Sequence, residues 1–309
     1  MSKIPVWFDT DIGVDDALAF FVLNKLQNVE IQGISAVAGN VELSFTYPNA
    51  RNICHMVGRD CPVYRGADKP LFQELHTAHD IHGPEGLGKA KLPLSDAPET
   101  HEAAWDALYE AAKAAKGELQ LIAVGPLTNV AIALGKYPDL KDLLKRIIIM
   151  GGGAARGNVT PAAEFNIYVD PHAAQMVFKS GVPIVMCGLD VTMDAYMTQE
   201  EVSDLGSIDS EVCRFFRDST GGMLEVYERG DLSGLCLHDV CAVLYLSDPE
   251  LFTGQSVGVY VETRGTITRG KTVTDLWSDK KFEKQNAFVV LCVDREAFVK
   301  RVCDILKSY

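Results

Sequence analysis

Short apolar runs alternate with helical patterns along most of the chain, and this alternation limits the folds that are open to it. The first run, "IPVWFD", is typical of a buried strand, and "DDALAFFVLNKLQ" follows as a helix with acidic residues in its first turn. The same order recurs at "IQGISAVAG", "LQLIAVG", "IIIMGGG" and "PIVMCGLD". Such alternation predicts an α/β fold with a mostly parallel open sheet and helices on both faces. No linker or repeat interrupts it, so we expect one domain over residues 1–309.

Charge and cysteine content restrict the partners and the compartment of the chain. The net charge is −13 over 309 residues, which disfavours binding to nucleic-acid phosphates and to anionic membranes but leaves uncharged small molecules open. The eight cysteines form no CxxC pair and several lie in apolar runs, which is typical of reduced, buried thiols and indicates a cytoplasmic protein. No apolar run reaches the length of a membrane span.

The carboxyl ends of the predicted strands are where a parallel sheet binds its ligands. In this chain the segments that follow the strands are "DTDIGVDD", "AGN", "VGPLTN", "MGGG" and "GLDVT", and most of them carry Asp, Asn or Gly clusters. Residues 72–98 have a different character, because they are rich in Gly, Pro, His and Asp and lack periodicity. A loop of this length within a compact domain predicts a functional flap or a disordered segment.

The segment "DTDIGVDD" concentrates four carboxylates, those of Asp9, Asp11, Asp15 and Asp16. They repel one another between a buried strand and a helix, so a hard divalent cation with oxygen ligands is the natural partner. Gly13 permits the sharp turn between the two elements. Ordinary capping of the helix is the alternative, and it accounts for Asp15 or Asp16 but not for the two acids at the strand end.

Two further polar clusters follow later in the chain. The segment "AEFNIYVDP" and the glycine-rich stretch before it offer Asn158, Glu164, Asn166 and Asp170. If this segment is extended, Glu164 and Asn166 lie on one side of it, where they suit a ligand with several hydroxyls; a polar loop is the alternative. The third cluster, "LCLHDVCAV", pairs His238 with Asp239 at the start of an apolar run. Taken alone, this pair is better explained by a helix cap beside a buried histidine than by a binding site.

Together these segments resemble one family, the inosine-uridine preferring nucleoside hydrolases. The motifs "DTDIGVDDA", "AGN", "GPLTN", "MGGG…GN…AEFN…DP" and "HDVCAV" occur in the family's order, and "VETRGTITRGKTVTD" is similar to its last shared segment. The resemblance covers nearly the whole chain. It implies a single Rossmann-like α/β domain, a bound Ca²⁺ and hydrolysis of the N-glycosidic bond of ribonucleosides to a free base and ribose.

The resemblance also implies roles for individual residues. The calcium ligands would be the carboxylates of Asp11, Asp16 and Asp239 and the carbonyl oxygen of Val124, where many members have threonine. Asp9 would support these ligands from behind, and Asp11 would also activate a calcium-bound water. The residues expected to bind substrate are Asp15, Asn40 and Asn166 at the ribose 2′ and 3′ positions, Asn158 and Glu164 at the 5′ position, and His82 and Tyr227 near the base. His238 would protonate the departing base, with Tyr227 and His82 as the other candidates.

Two other functions remain open from the residues alone. A haloacid-dehalogenase-like phosphatase also places an Asp-x-Asp after its first strand, here Asp9 and Asp11, although "IGVDD" does not continue that class's pattern. A non-catalytic, calcium-dependent nucleoside-binding protein is the second alternative. The family resemblance further implies a homodimer or homotetramer, and a small ribonucleoside rather than a nucleic acid or a membrane as the partner.

Overall fold

The computed structural model describes residues 3–229 and 233–309, with side chains for residues 3–221 and 233–309. Apolar runs become strands where the sequence predicts them. The strands are β1 (Ile4–Thr10), β2 (Val29–Ala36), β3 (Val63–Arg65), β4 (Leu119–Ala123), β5 (Leu144–Met150), β6 (Ile184–Cys187), β7 (Tyr196–Met197), β8 (Leu235–Cys236), β9 (Phe252–Val257), β10 (Val259–Val261), β11 (Thr272–Thr274) and β12 (Ala287–Val293).

Most of these strands join one central sheet. Over the described ranges it has eight strands in the order β3-β2-β1-β4-β5-β6-β12-β9. Every neighbouring pair is parallel except β12 and β9, which run antiparallel. The pairs β7–β8 and β10–β11 form two small antiparallel sheets. The prediction of a mostly parallel sheet within a single α/β domain is therefore confirmed.

Helices cover both faces of the sheet, as predicted. They are α1 (Val14–Lys25), α2 (Leu43–Met56), α3 (His79–His82), α4 (Ala104–Ala114), α5 (Thr128–Lys136), α6 (Leu140–Leu143), α7 (Phe165–Val169), α8 (Pro171–Phe178), α9 (Leu189–Thr192), α10 (Gln199–Gly206), α11 (Glu211–Arg229), α12 (His238–Ser247) and α13 (Arg295–Leu306). Side chains of β1 alternate between the two layers: Val6 and Phe8 enter one hydrophobic core, and Trp7 enters the other. A sheet buried on both faces requires strands that are apolar on both sides, as β4, β5 and β6 are.

Two helices on one face are buried along nearly their whole length. Most residues of α1 and of α12 are buried, and the two helices pack against each other. Their acidic residues, Asp15, Asp16 and Asp239, all lie in the first turn. Because both helices begin at the same edge of the sheet, their packing brings these carboxylates together.

The order of strands reverses between β1 and β4. Strands β2 and β3 lie on one side of β1, while β4, β5 and β6 continue on the other. At such a reversal the loops leave the carboxyl ends of neighbouring strands in opposite directions, and a crevice opens between them. The segments after β1, β2 and β4 border this crevice, which places the acidic motif beside it.

The segment 72–98 folds over the crevice and contains only the short helix α3 as regular structure. Its backbone is tied to the core: the amide N–H of Ala78 donates to the carbonyl of Asn40 at 2.8 Å, and the Asn49 side chain donates to the carbonyl of Glu85 at 2.8 Å. Gly88 has φ +60°, and a Cβ there would lie 2.4 Å from the carbonyl oxygen of Ser219 in α11. The segment is thus an ordered flap, which was one of the two predicted alternatives.

The state of the cysteines and the character of the helices match what the sequence predicts. The eight cysteines are all free, and five of them are buried. Across the two described ranges, none of the helices has both the length and the apolar character that crossing a bilayer requires.

Candidate active site

A cavity of about 600 Å³ lies at the carboxyl edge of the sheet, between the flap and the loops that follow β1, β2, β4 and β5. It is lined by most of the side chains that the sequence selected. These are Asp15, Asn40, His82, Val124, Asn158, Glu164, Asn166, His238 and Asp239. Asp11 and Asp16 are fully buried behind the lining, and the side chain of Tyr227 lies outside the described residues.

The floor of the cavity is acidic. Carboxylate oxygens of Asp15, Asp16 and Asp239 lie within 4.8 Å of one another, and all three residues are buried. Burial, followed by the charges of Asp15 and Asp16, holds the pKa of Asp239 well above its usual range. Burial also raises the pKa of Asp15 to about 6. The structure therefore brings Asp15 into the group that could bind a metal, although the family resemblance assigned it to the ribose.

Asp16 is held in place from three sides. Its Oδ1 accepts a hydrogen bond from the hydroxyl of Thr10 at 2.5 Å. Its Oδ2 accepts from the amide N–H of Gly13 at 2.9 Å and from the Asn40 side chain at 3.0 Å. The position of this carboxylate is thus fixed by β1, by the turn that starts α1 and by the segment after β2.

Asp11 lies next to this group but is not one of the three. Its Oδ2 accepts from the amide N–H of Asn40 at 2.7 Å, whereas Oδ1 is buried and has no hydrogen-bond partner among the described residues. Burial and the charge of Asp16 hold its pKa well above the usual range. Gly125 allows this approach, since a Cβ there would lie 2.7 Å from Asp11 Oδ1.

These observations fit a hard divalent cation. Asp15, Asp16 and Asp239 lie within 4.8 Å of one another, and the charge of Asp16 also acts on the buried Asp11, so these carboxylates repel one another when they are ionised. One oxygen, Asp11 Oδ1, has no partner in the described part of the chain. A cation with several oxygen ligands would remove both penalties.

Asp9 is fully buried near the end of β1, and its side chain has partners on β2 and α5. Its Oδ2 accepts from the hydroxyl of Ser35 and from the side chain of Asn129 at 2.8 Å. Ser35 in turn accepts from the indole N–H of Trp7 at 2.8 Å. Burial raises the pKa of Asp9 to about 7. The contact gives Asn129 of the "GPLTN" motif a hydrogen-bond partner on β1, and the supporting role that the family resemblance implies for Asp9 stays a prediction.

The segment "AEFN" is extended only in part: Glu164 has an extended backbone at the N-cap of α7, and the helix begins at Phe165. Glu164 caps α7: its side chain accepts from the amide N–H groups of Asn166 at 2.9 Å and Ile167 at 3.1 Å, and from Gly152 at 2.8 Å. Three backbone donors to one carboxylate stabilise the start of the helix. Both side chains still line the cavity, because Glu164 turns back over the first turn of the helix. Burial raises the pKa of Glu164 to about 7.

Asn166 connects two strand ends. Its side-chain N–H groups donate to the carbonyl of Val124 at 2.7 Å and to the carbonyl of Met150 at 3.2 Å. Both side-chain hydrogens are then used inside the protein, so its Oδ1 is the atom left to accept from a ligand hydroxyl. The Val124 carbonyl keeps a second lone pair, which is the group that the resemblance assigns to the metal.

Two histidines border the cavity in their neutral form. Burial lowers the pKa of both His82 and His238 to about 4. The amide N–H of Val14 donates to His82 Nδ1 at 3.2 Å, so the ring proton of His82 lies on Nε2. His238 Nδ1 is 2.8 Å from the hydroxyl of Thr192, which orients the ring.

Some side chains of the cavity were not selected from the sequence, and one that was noted lies elsewhere. Arg156, Phe165, Met150, Met193 and His76 also line the cavity. By contrast, Asp170 is buried away from it, caps α8 and accepts from Thr128 and from the amide N–H of Leu71. Asn158 is exposed at the rim, where its Oδ1 accepts from the amide N–H of Phe165 at 2.9 Å.

Comparisons with known proteins agree with this site. The sequence profile of the family described as "Inosine-uridine preferring nucleoside hydrolase" matches residues 6–300. The chain is 38% identical over 309 residues to a non-specific ribonucleoside hydrolase, RihC, of Klebsiella pneumoniae, with 98% of each chain covered. It is 39% identical over 310 residues to a pyrimidine-specific ribonucleoside hydrolase, RihA, of Citrobacter koseri, with 99% of each covered.

Solved structures give the same result. A plant nucleoside hydrolase, PpNRh1, superposes with a TM-score of 0.93 at 32% identity, covering 99% of this chain and 100% of the other. A purine-preferring ribonucleoside hydrolase from Gardnerella vaginalis gives a TM-score of 0.91 at 31% identity, with the same coverage. The matched regions include every segment that lines the cavity.

Proposed function

Since the chain belongs to the family of inosine-uridine preferring nucleoside hydrolases, we propose that it cleaves ribonucleosides with a bound Ca²⁺ and with Asp11 as general base. The enzyme class follows from the family: the chain is an N-glycosyl hydrolase that acts on ribonucleosides. The observation that supports the mechanism is the buried group of Asp15, Asp16 and Asp239 beneath a cavity of nucleoside size. The family match leaves the phosphatase alternative without support.

The residues that would hold the Ca²⁺ are Asp11, Asp16, Asp239 and the carbonyl oxygen of Val124, with Asp15 close enough to share it. When bound, Ca²⁺ supplies ligand positions for water and for ribose hydroxyls, and it lowers the pKa of that water. The cation need not distort the site, because Asp16 is already oriented by Thr10, Gly13 and Asn40.

The protein side chains account for the remaining steps. Asp11 Oδ1 takes the proton of the attacking water as the water oxygen bonds to C1′ of the ribose. The C1′–N bond breaks, and its electron pair leaves with the base. The ribose passes through a state with oxocarbenium character, which nearby carboxylates such as Asp15 stabilise. Attack from the floor, opposite the departing base, inverts the anomeric centre.

The substrate would lie between floor and flap. Asp15, Asn40 and Asn166 would bind the 2′ and 3′ hydroxyls, and Asn158 and Glu164 would bind the 5′ hydroxyl. His82, in the flap, would face the base. Relatives of similar identity are named for different bases, so side chains around the base rather than the fold would set the preference.

Release of free base from a panel of purine and pyrimidine ribonucleosides tests this function. We expect turnover with added Ca²⁺. Treatment with a chelator should abolish turnover, because the acidic floor would lose its cation. Restoration by Ca²⁺ is the control for damage by the chelator. Nucleoside that binds without any cleavage would instead support the non-catalytic alternative, and full activity in chelator would contradict the metal assignment.

His238→Ala is expected to lower kcat/KM on inosine and uridine about 100-fold, the low end for a positioned proton donor. The low value reflects its burial, which keeps the ring neutral and limits it to a hydrogen bond with the base. On p-nitrophenyl riboside we expect most activity to remain, since nitrophenoxide leaves without a proton. Steady-state kinetics give kcat/KM of the variant and the wild type on a nucleoside and on p-nitrophenyl riboside, so the two losses can be compared. An equal loss of kcat/KM on both kinds of substrate would show that His238 holds Asp239 in place or stabilises the fold instead.

Assembly and compartment are also part of the proposal. We infer a homodimer or homotetramer from the family and a cytoplasmic protein from its free, mostly buried thiols. Light scattering would give the mass of the assembly.

A further inference from the structure

The loop after β5 carries a basic side chain to the cavity. Arg156 lines it together with Met193 and His238. Among the described residues of the lining, Arg156 is the only lysine or arginine, whereas Asp15, Asp80, Glu164 and Asp239 are acidic. A neutral nucleoside does not need a positively charged side chain for binding, so the guanidinium of Arg156 in this acidic cavity suggests a role in the reaction.

The backbone before Arg156 is firmly held. Lys271 Nζ donates to the carbonyls of Gly153 and Ala154, each at 2.8 Å. The Thr272 hydroxyl both accepts from the amide N–H of Gly153 at 2.8 Å and contacts its carbonyl at 2.9 Å. Asp190 accepts from the amide N–H of Ala154 at 2.6 Å. The segment "VETRGTITRGKTVTD" therefore does not enter the cavity but fixes the loop that presents Arg156.

The loop that carries Arg156 is held against α9, the helix that also contacts His238. Asp190 of α9 accepts from the amide N–H groups of Ala154 at 2.6 Å and Ala155 at 2.9 Å, and the hydroxyl of Thr192 in α9 lies 2.8 Å from His238 Nδ1. Arg156 therefore borders the part of the cavity where His238 would face the departing base. Arg156 forms no ion pair or side-chain hydrogen bond with any residue whose side chain the structure describes.

Building on the reaction proposed above, we propose that Arg156 is a further catalytic residue that stabilises the negative charge on the departing nucleobase. As the C1′–N bond breaks, its electron pair moves onto the base and spreads to the ring carbonyl oxygens of a pyrimidine or a 6-oxopurine. The guanidinium donates charge-assisted hydrogen bonds to such an oxygen and keeps all its protons, because an arginine does not deprotonate in proteins. The base then takes its proton from solvent, while neutral His238 contributes a hydrogen bond.

The test compares leaving groups in Arg156→Gln. On uridine and inosine we expect kcat/KM to fall about 10- to 100-fold, the size of one hydrogen bond to a charged group. On p-nitrophenyl riboside, whose leaving group is already a stable anion, we expect a loss of less than about threefold. Arg156→Lys should retain part of the activity, and millimolar guanidinium should restore part of the activity of Arg156→Ala. Arg264→Gln, an exposed arginine in the turn between β10 and β11, is the matched control.

Three results would overturn the assignment. Unchanged kinetics on uridine and inosine would show that Arg156 does not contact the base. An equal loss on all substrates, without rescue by guanidinium, would make it a positioning residue of the loop. A selective loss on uridine 5′-monophosphate would show that it binds a phosphate at the 5′ end instead. If the wild-type protein released no base from any nucleoside, the proposed function itself would fail, and this is measured first.

Discussion

Asp16→Ala is expected to lose both the bound metal and nearly all hydrolysis, with kcat/KM on ribonucleosides lower by about 10⁴-fold. The size of the loss reflects two effects that act together. Asp16 would be a ligand of the cation, and its removal also leaves the hydroxyl of Thr10, the amide N–H of Gly13 and the side chain of Asn40 without their acceptor. Asn40 also orients Asp11 through its backbone N–H, so the general base would move as well.

Metal content and thermal unfolding with and without Ca²⁺ separate these effects. Ligand binding to the folded state stabilises it, by about 2.7 kcal/mol at a concentration 100 times the Kd. We expect this gain in the wild type and its absence in Asp16→Ala. Asp204→Ala, an exposed acidic residue of α10, should keep both the metal and the gain. Full calcium occupancy in Asp16→Ala would remove Asp16 from the ligand set.

The position of the site could be predicted from the sequence because it depends on local order. Apolar runs of a few residues bounded by Asp, Asn and Gly identify parallel strands, and the ligand-binding edge of such a sheet follows from its topology. The acids after β1 and the asparagine after β2 therefore had to meet near one crevice. The pairing of α1 with α12, which adds Asp239, depended on the family resemblance.

The directions of individual side chains could not be predicted from the sequence in this way. Asp15 and Asp16 are adjacent in the sequence, and only the packing of α1 against α12 shows that both approach Asp239. The two-residue spacing of Glu164 and Asn166 does not reveal that the Glu164 carboxylate caps a short helix that begins at Phe165. Arg156 belongs to no motif that the sequence analysis selected. Its position at the cavity is evident only from the structure.

The largest effect expected from a change in substrate is the loss of the ribose 2′ hydroxyl. Asp15, Asn40 and Asn166 border the same part of the cavity, and each is at least nine-tenths buried. The side-chain hydrogens of Asn166 are used by Val124 and Met150, so its Oδ1 would accept from a hydroxyl. Without that hydroxyl, Asn166 Oδ1 and a carboxylate oxygen of Asp15 would remain buried and unpaired, which is costly.

We therefore expect kcat/KM on 2′-deoxyuridine to be about 10⁴-fold below that on uridine, the range reached by sites that hydrogen-bond a substrate hydroxyl. The comparison is demanding, because the glycosidic bond of a 2′-deoxynucleoside is intrinsically the weaker one: it lacks the electron-withdrawing hydroxyl next to the oxocarbenium centre. Discrimination must then come from the protein. Asn166→Ala should reduce the ratio between the two substrates, since uridine loses a contact that 2′-deoxyuridine never had. A wild-type enzyme that cleaves both at comparable rates would show that these side chains do not bind the diol.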